Sequence, residues 1–145
     1  MSQAENIAKQ MSQLLPTLIR HMYPYVFQPL KLPPSQVLAI TTLFEKGNCH
    51  LCDLSHEMHI SAPTVTGIIN RLEKSGYVKR TADSSDRRAF TISLTAKGEK
   101  ILLEFRENIR KRWQVILSQL PQDEQENILR TVTKITRGLT HEAAS

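Results

Sequence analysis

The stretch HISAPTVTGIINRLEKSGYVKRT, His59 to Thr81, constrains the fold more than any other. Val65, Ile68, Ile69 and Leu72 recur at i, i+3, i+4 and i+7, so the segment gains one apolar face as a helix. Ser61 suits the cap, Pro63 fits the first turn, and Gly76 can end the helix in a left-handed conformation. Directly after Gly76 the period changes. YVKRT and AFTISLT alternate as strands do, around a loop that holds Asp83, Asp86, Arg87 and Arg88. A helix that runs straight into a hairpin leaves few ways to fold.

The flanking segments narrow them further. LCDLSHEMH places Leu51, Leu54 and Met58 at helical intervals just before the turn HIS. Upstream, KLPPSQVLAITTLFEKG reads as a helix capped by Ser35 and stopped at Gly47. Ile7, Met11, Leu14, Leu15, Leu18, Ile19 and Met22 mark an N-terminal amphipathic helix. Pro16 is expected to kink or interrupt it, and Pro24 and Pro29 to leave the region up to Leu32 irregular. After the hairpin, Thr95 can cap a long helix that Pro121 breaks. Asp123 and Glu124 suit the first turn of a last one, striped by Ile128, Leu129, Val132, Ile135 and Leu139. The expected class is mainly α with a small β-hairpin. Two short helices joined at HIS and followed by a hairpin describe a winged helix-turn-helix, spanning 33–96, with the helix-turn-helix at 51–74 and the wing at 77–94.

Composition is that of an ordinary soluble protein, and its mildly basic balance favours a polyanionic partner, although a solvated charged face is the plainer reading of the basic segment. The 145 residues carry a net charge of +5 and a pI near 9.4, and six of the nineteen Lys and Arg fall between Arg71 and Arg88. No apolar run is long enough to span a bilayer, and MSQAENIAKQ is unlike a secretory signal, so a cytoplasmic location without membrane contact is expected. No nucleophile–base pattern, phosphate-cradling glycine loop or two-metal carboxylate set occurs, and there are only five glycines. The reading is therefore not an enzyme, with no catalytic residues, no cofactor and no resident metal.

TVTGIINRLEKSGYVKR, the DRR of the loop and LTAKGE together resemble the MarR family of transcriptional regulators, densely from Leu38 to about Leu103. The resemblance implies a homodimer in which the helices of 1–32 and 97–145 intertwine, each chain carrying one winged helix. It implies a regulator, typically a ligand-responsive repressor, that binds double-stranded DNA at a palindromic operator. In a helix-turn-helix the second helix enters the major groove. The face opposite the buried stripe carries Ala62, Pro63, Thr64, Thr66, Gly67, Asn70 and Arg71, with Ser61 at the start. Threonine hydroxyls bond phosphates or bases, asparagine pairs with adenine, and arginine meets guanine or phosphate. Gly67 departs from the family, where a longer polar or basic side chain is common. Close approach to the groove and looser specificity both explain it. The family's wing motif, Asp, any residue, Arg, is matched by Asp86, Arg87 and Arg88. Arg88 is expected to insert into a minor groove, Asp86 to orient it, and Arg87 to take a phosphate or share the insertion.

Two further clusters concern a signal. Family members often release DNA on binding a small, frequently aromatic, acid beside the dimer helices. In HMYPYVFQPL the residues His21, Tyr23, Tyr25 and Phe27 can line such a pocket, with Arg20 for a carboxylate; aromatic packing in the dimer is the plainer alternative. Cys49 and Cys52, with His50, His56 and His59, fall within eleven residues, a spacing open to zinc or to a thiol switch. A redox- or metal-responsive regulator using Cys49 and Cys52 is thus the alternative function. Structural use of the same residues is the plainer one.

Overall fold

The computed structural model describes residues 1–82 and 90–144. Eight principal elements follow one another: α1 (Gln3–Val26), α2 (Pro34–Lys46), α3 (Leu51–Met58), α4 (Ala62–Lys74), β1 (Val78–Ala82), β2 (Phe90–Leu94), α5 (Ala96–Leu117) and α6 (Gln122–Ala144). A short 3-10 turn, Gln28–Leu30, links α1 to α2. The order is the expected one: helices, a two-stranded antiparallel hairpin, then two long helices. None of the described helices is long and apolar enough to cross a membrane.

The core sits under the winged helix. Val65, Ile68, Ile69 and Leu72 of α4 are all buried, against Ala39, Ile40 and Leu43 of α2, Leu54 of α3, Val78 and Ile92 of the hairpin, and Leu102 of α5. Each fully buried aliphatic side chain here contributes about 1.5–3 kcal/mol. Removing Ile69 or Leu72 to alanine costs about 2–5 kcal/mol by the same bookkeeping plus the cavity left behind. β1 and β2 pair Val78 with Leu94 through Ala82 with Phe90. Cys49 adds a third short edge, exchanging backbone bonds with Ile92 at 3.2 and 2.7 Å. It stands in a strand-like bridge just before α3.

Two expectations change: no proline interrupts the first helix, and the cap of the second moves. Pro16 and Pro24 lie inside α1, which runs unbroken to Val26, so only the segment after it is irregular. A proline removes one helical bond, leaving the carbonyl four residues earlier free. Here those carbonyls belong to Ser12 and Arg20 on an exposed helix, where water can replace the lost donor. At α2 the cap is Pro33, not Ser35. Pro34 takes the first helical position, and Pro33 O accepts from Gln36 N and Val37 N at 3.0 and 3.2 Å. Tandem prolines, with no N–H to lose and a preset φ, outcompete the serine. Ser61, Thr95 and Gly47 hold the terminal positions expected of them.

Candidate nucleic-acid interface

The turn between α3 and α4 is built by side-chain bonds. His59 takes a left-handed φ of 56°, and Ser55 Oγ donates to Ile60 O at 2.6 Å. Ser61 Oγ accepts from Thr64 N and bonds Thr64 Oγ1 at 2.8 Å. With the apolar stripe buried, Ser61, Ala62, Pro63, Thr64, Asn70 and Arg71 are exposed, and Thr66 and Gly67 are half-buried. All eight stand on the outward side of α4. Thr66 donates its hydroxyl to Ala62 O at 2.9 Å, which leaves its oxygen free to accept.

The C-terminal end of α4 is latched to the start of α5. Thr95 Oγ1 donates to Gly76 O at 2.6 Å and accepts from Gly98 N at 3.2 Å. Lys97 Nζ donates to Ser75 O at 2.7 Å and lies 4.5 Å from the centre of the Tyr77 ring. A cation at a helix C-terminus meets the negative end of its dipole. Gly98 packs so closely that a Cβ would fall 2.2 Å from Tyr77 O, inside any permitted contact. LTAKG is therefore a clasp that orients α4 relative to the hairpin, and Gly76, with φ 84°, is the left-handed residue that lets the chain turn into it.

Arg80 joins the wing to α4 directly. Its Nη2 donates to Asn70 Oδ1, and its Nε lies 3.4 Å from Glu73 Oε1 as an ion pair without hydrogen-bond geometry. Asn70 is thus already engaged, which the adenine-pairing expectation did not include. Arg80 was missed in the sequence, although strand alternation in YVKRT puts it on the inward face with buried Val78. Asp86, Arg87 and Arg88 lie outside the described residues. The strands that carry their loop are described, and they place its two ends at the paired residues Ala82 and Phe90.

The aromatic residues of α1 do not converge. Phe27 packs between Tyr23 and Phe105, at centroid distances of 5.7 and 5.3 Å. Tyr25 points elsewhere, with the Arg112 guanidinium 3.7 Å from its ring centre. His21 Nδ1 bonds Thr17 O at 2.8 Å, and Arg20 is exposed. Tyr25 lines a cavity of about 220 Å³ with Asn108, Lys111, Arg112 and Val115. Cations face that cavity, but they come from α5 and not from Arg20.

Cys49 is placed for structure. Burial pushes the Cys49 thiol up, and Asp53 adds to the effect against Lys46, so it keeps its proton and is a poor nucleophile. Cys52 is exposed at the start of α3. The His50 ring bonds Phe90 O at 3.1 Å, tying the same helix end to β2. Among the described residues no group of three or more His, Cys, Asp or Glu is arranged to hold a metal ion.

Fold and surface first define a class, the winged helix-turn-helix. Comparison with known proteins narrows it. The MarR family model matches residues 32–90. The HTH-type transcriptional regulator FarR of Neisseria gonorrhoeae is 39% identical over 77 residues, 53% of either chain. The uncharacterized HTH-type transcriptional regulator YcgE of Bacillus subtilis (strain 168) is 34% identical over 106 residues, 72% of this chain and 69% of its own. A MarR family protein from Bacillus stearothermophilus superposes with a TM-score of 0.81 over 97% of this chain and 99% of its own, at 24% identity, a likeness of fold. The chain belongs to the MarR family. It spans about half the length of several relatives it matches, FarR among them.

Proposed function

We propose that the chain is a sequence-specific double-stranded DNA-binding regulator that acts as a homodimer on an inverted repeat. One observation carries the reading: a capped helix with a polar and basic outward face is held by the Thr95–Gly98 clasp beside a two-stranded wing. α4 lies in the major groove with Ser61, Thr64, Thr66, Asn70 and Arg71 toward bases and phosphates. The wing loop, by its sequence, brings Arg88 to the flanking minor groove, oriented by Asp86 and backed by Arg87.

The homodimer rests on unpartnered apolar faces. Leu129, Val132, Ile135 and Leu139 of α6 are each more than half exposed, and Ile7, Met11, Leu14, Leu15, Leu18 and Ile19 of α1 are exposed too. Patches of this extent call for a covering surface, and a second copy supplies a matching one. Two copies present two recognition helices, hence half-sites about 10 base pairs apart, or a multiple of that. Sequencing the duplexes that the full chain retains from a randomised pool tests this. An inverted repeat at that spacing is expected; a pool with no enriched sequence overturns the reading.

A small aromatic acid acting as an effector that releases DNA is part of the proposal. Its place is the cavity beside Tyr25, where Lys111 and Arg112 supply charge and Arg112 Nε has no hydrogen-bond partner among the described residues. Benzoate should weaken operator binding by the wild type and not by Arg112→Ala; equal inhibition of both places the effector elsewhere.

A further inference from the structure

We propose that Arg80 fixes the Asn70 amide as a hydrogen-bond donor, and so makes guanine rather than adenine the base that α4 reads at that position. The inference rests on the DNA-binding reading above and deepens it. An asparagine that is free to turn sets an acceptor beside a donor and pairs with N6 and N7 of adenine. Asn70 is not free to turn. Arg80 Nη2 donates to its Oδ1, and a guanidinium has only donors. A flipped amide would set its NH2 group against that N–H.

Arg80 is itself held in place. It sits on the face of β1 that buries Val78, its side chain is only 24% exposed, and Glu73 Oε1 lies 3.4 Å from its Nε. Asn70 stands exposed on the outward side of α4, and among the described residues Nδ2, with its two hydrogens, is the end of the amide left open. The second lone pair of Oδ1 remains, but a base donor approaching it meets the positive charge of Arg80. Adenine presents one acceptor and one donor in the major groove; guanine presents two adjacent acceptors, N7 and O6. A fixed donor beside a cation matches guanine.

Selection from a randomised duplex pool, run with the full chain and its variants, tests the assignment. Wild type is expected to enrich guanine at one position in each half-site, and Asn70→Ala to lose that preference alone. Arg80→Met frees the amide and should lower the guanine-to-adenine ratio there by about tenfold, while Arg80→Lys keeps a donor and keeps guanine. Should Arg80→Met fail to fold by circular dichroism, Asn70→Asp carries the test. It preserves the pair with Arg80, deletes the donor, and has to lose guanine. Adenine at that position in the wild-type site, or the same preference from Arg80→Met or Asn70→Asp, overturns the proposal while DNA binding stands. No enriched sequence with wild type overturns both.

Discussion

Gly67 stands on the outward side of α4, where a Cβ would meet only Arg71 Nη1, at 3.8 Å, an ordinary contact. Nothing among the described residues therefore requires glycine, although glycine weakens a helix by about 1 kcal/mol relative to alanine. Gly67→Ala is expected to raise the melting temperature by about 3 °C. Operator affinity measured on the same variant separates the two readings of this glycine. A fall assigns it to close approach to the groove; no change assigns it to loose specificity. Gly98 is the opposite case, because Tyr77 O occupies the place of its Cβ. That difference was not legible in the sequence, where both glycines sit in helical patterns. Arg80 escaped for a related reason: its partners, Asn70 and Glu73, lie across an element boundary that periodicity does not cross. Ser61, Gly76 and Thr95 were legible, since caps and left-handed stops act within a few residues of themselves.

At the scale of elements, the apolar stripe of α4 and the alternation of the wing strands sufficed to order the winged helix. Burial at 3.6- and 2-residue periods leaves a mark in the sequence that no tertiary contact needs to reveal. α1 was harder to read, because its prolines are tolerated only through the exposure of the carbonyls they leave free, and exposure is a property of the folded chain. The clasp between α4 and α5 gives the clearest test of element packing. Gly98→Ala must push the start of α5 away from Tyr77 O, at a cost of about 1–3 kcal/mol or more. Thermal unfolding should show a melting temperature lowered by about 5 °C or more. A variant as stable as wild type would mean that the clasp does not set the junction. The aromatic cluster expected around HMYPYVFQPL divided because positions 23 and 27 share a face of α1 and 25 does not, a separation its helical course imposes.

For the whole molecule, α6 is the outlying element: its apolar stripe is exposed, and it packs little against the rest of the chain. Ile135→Glu is expected to shift the sedimentation coefficient from dimer to monomer and to abolish binding to a two-half-site operator. Sedimentation unchanged from wild type would place the dimer contact elsewhere. The central claim is that α4 and the wing together read duplex DNA. Its most direct test is operator affinity measured against salt, for wild type and for Arg88→Ala. Wild-type affinity should fall steeply on a logarithmic salt scale, as phosphate counterions are released. Arg88→Ala should bind at least about tenfold more weakly, with a slope shallower by about one, and remain folded. Affinity indifferent to salt, or equal in the two proteins, would contradict the account.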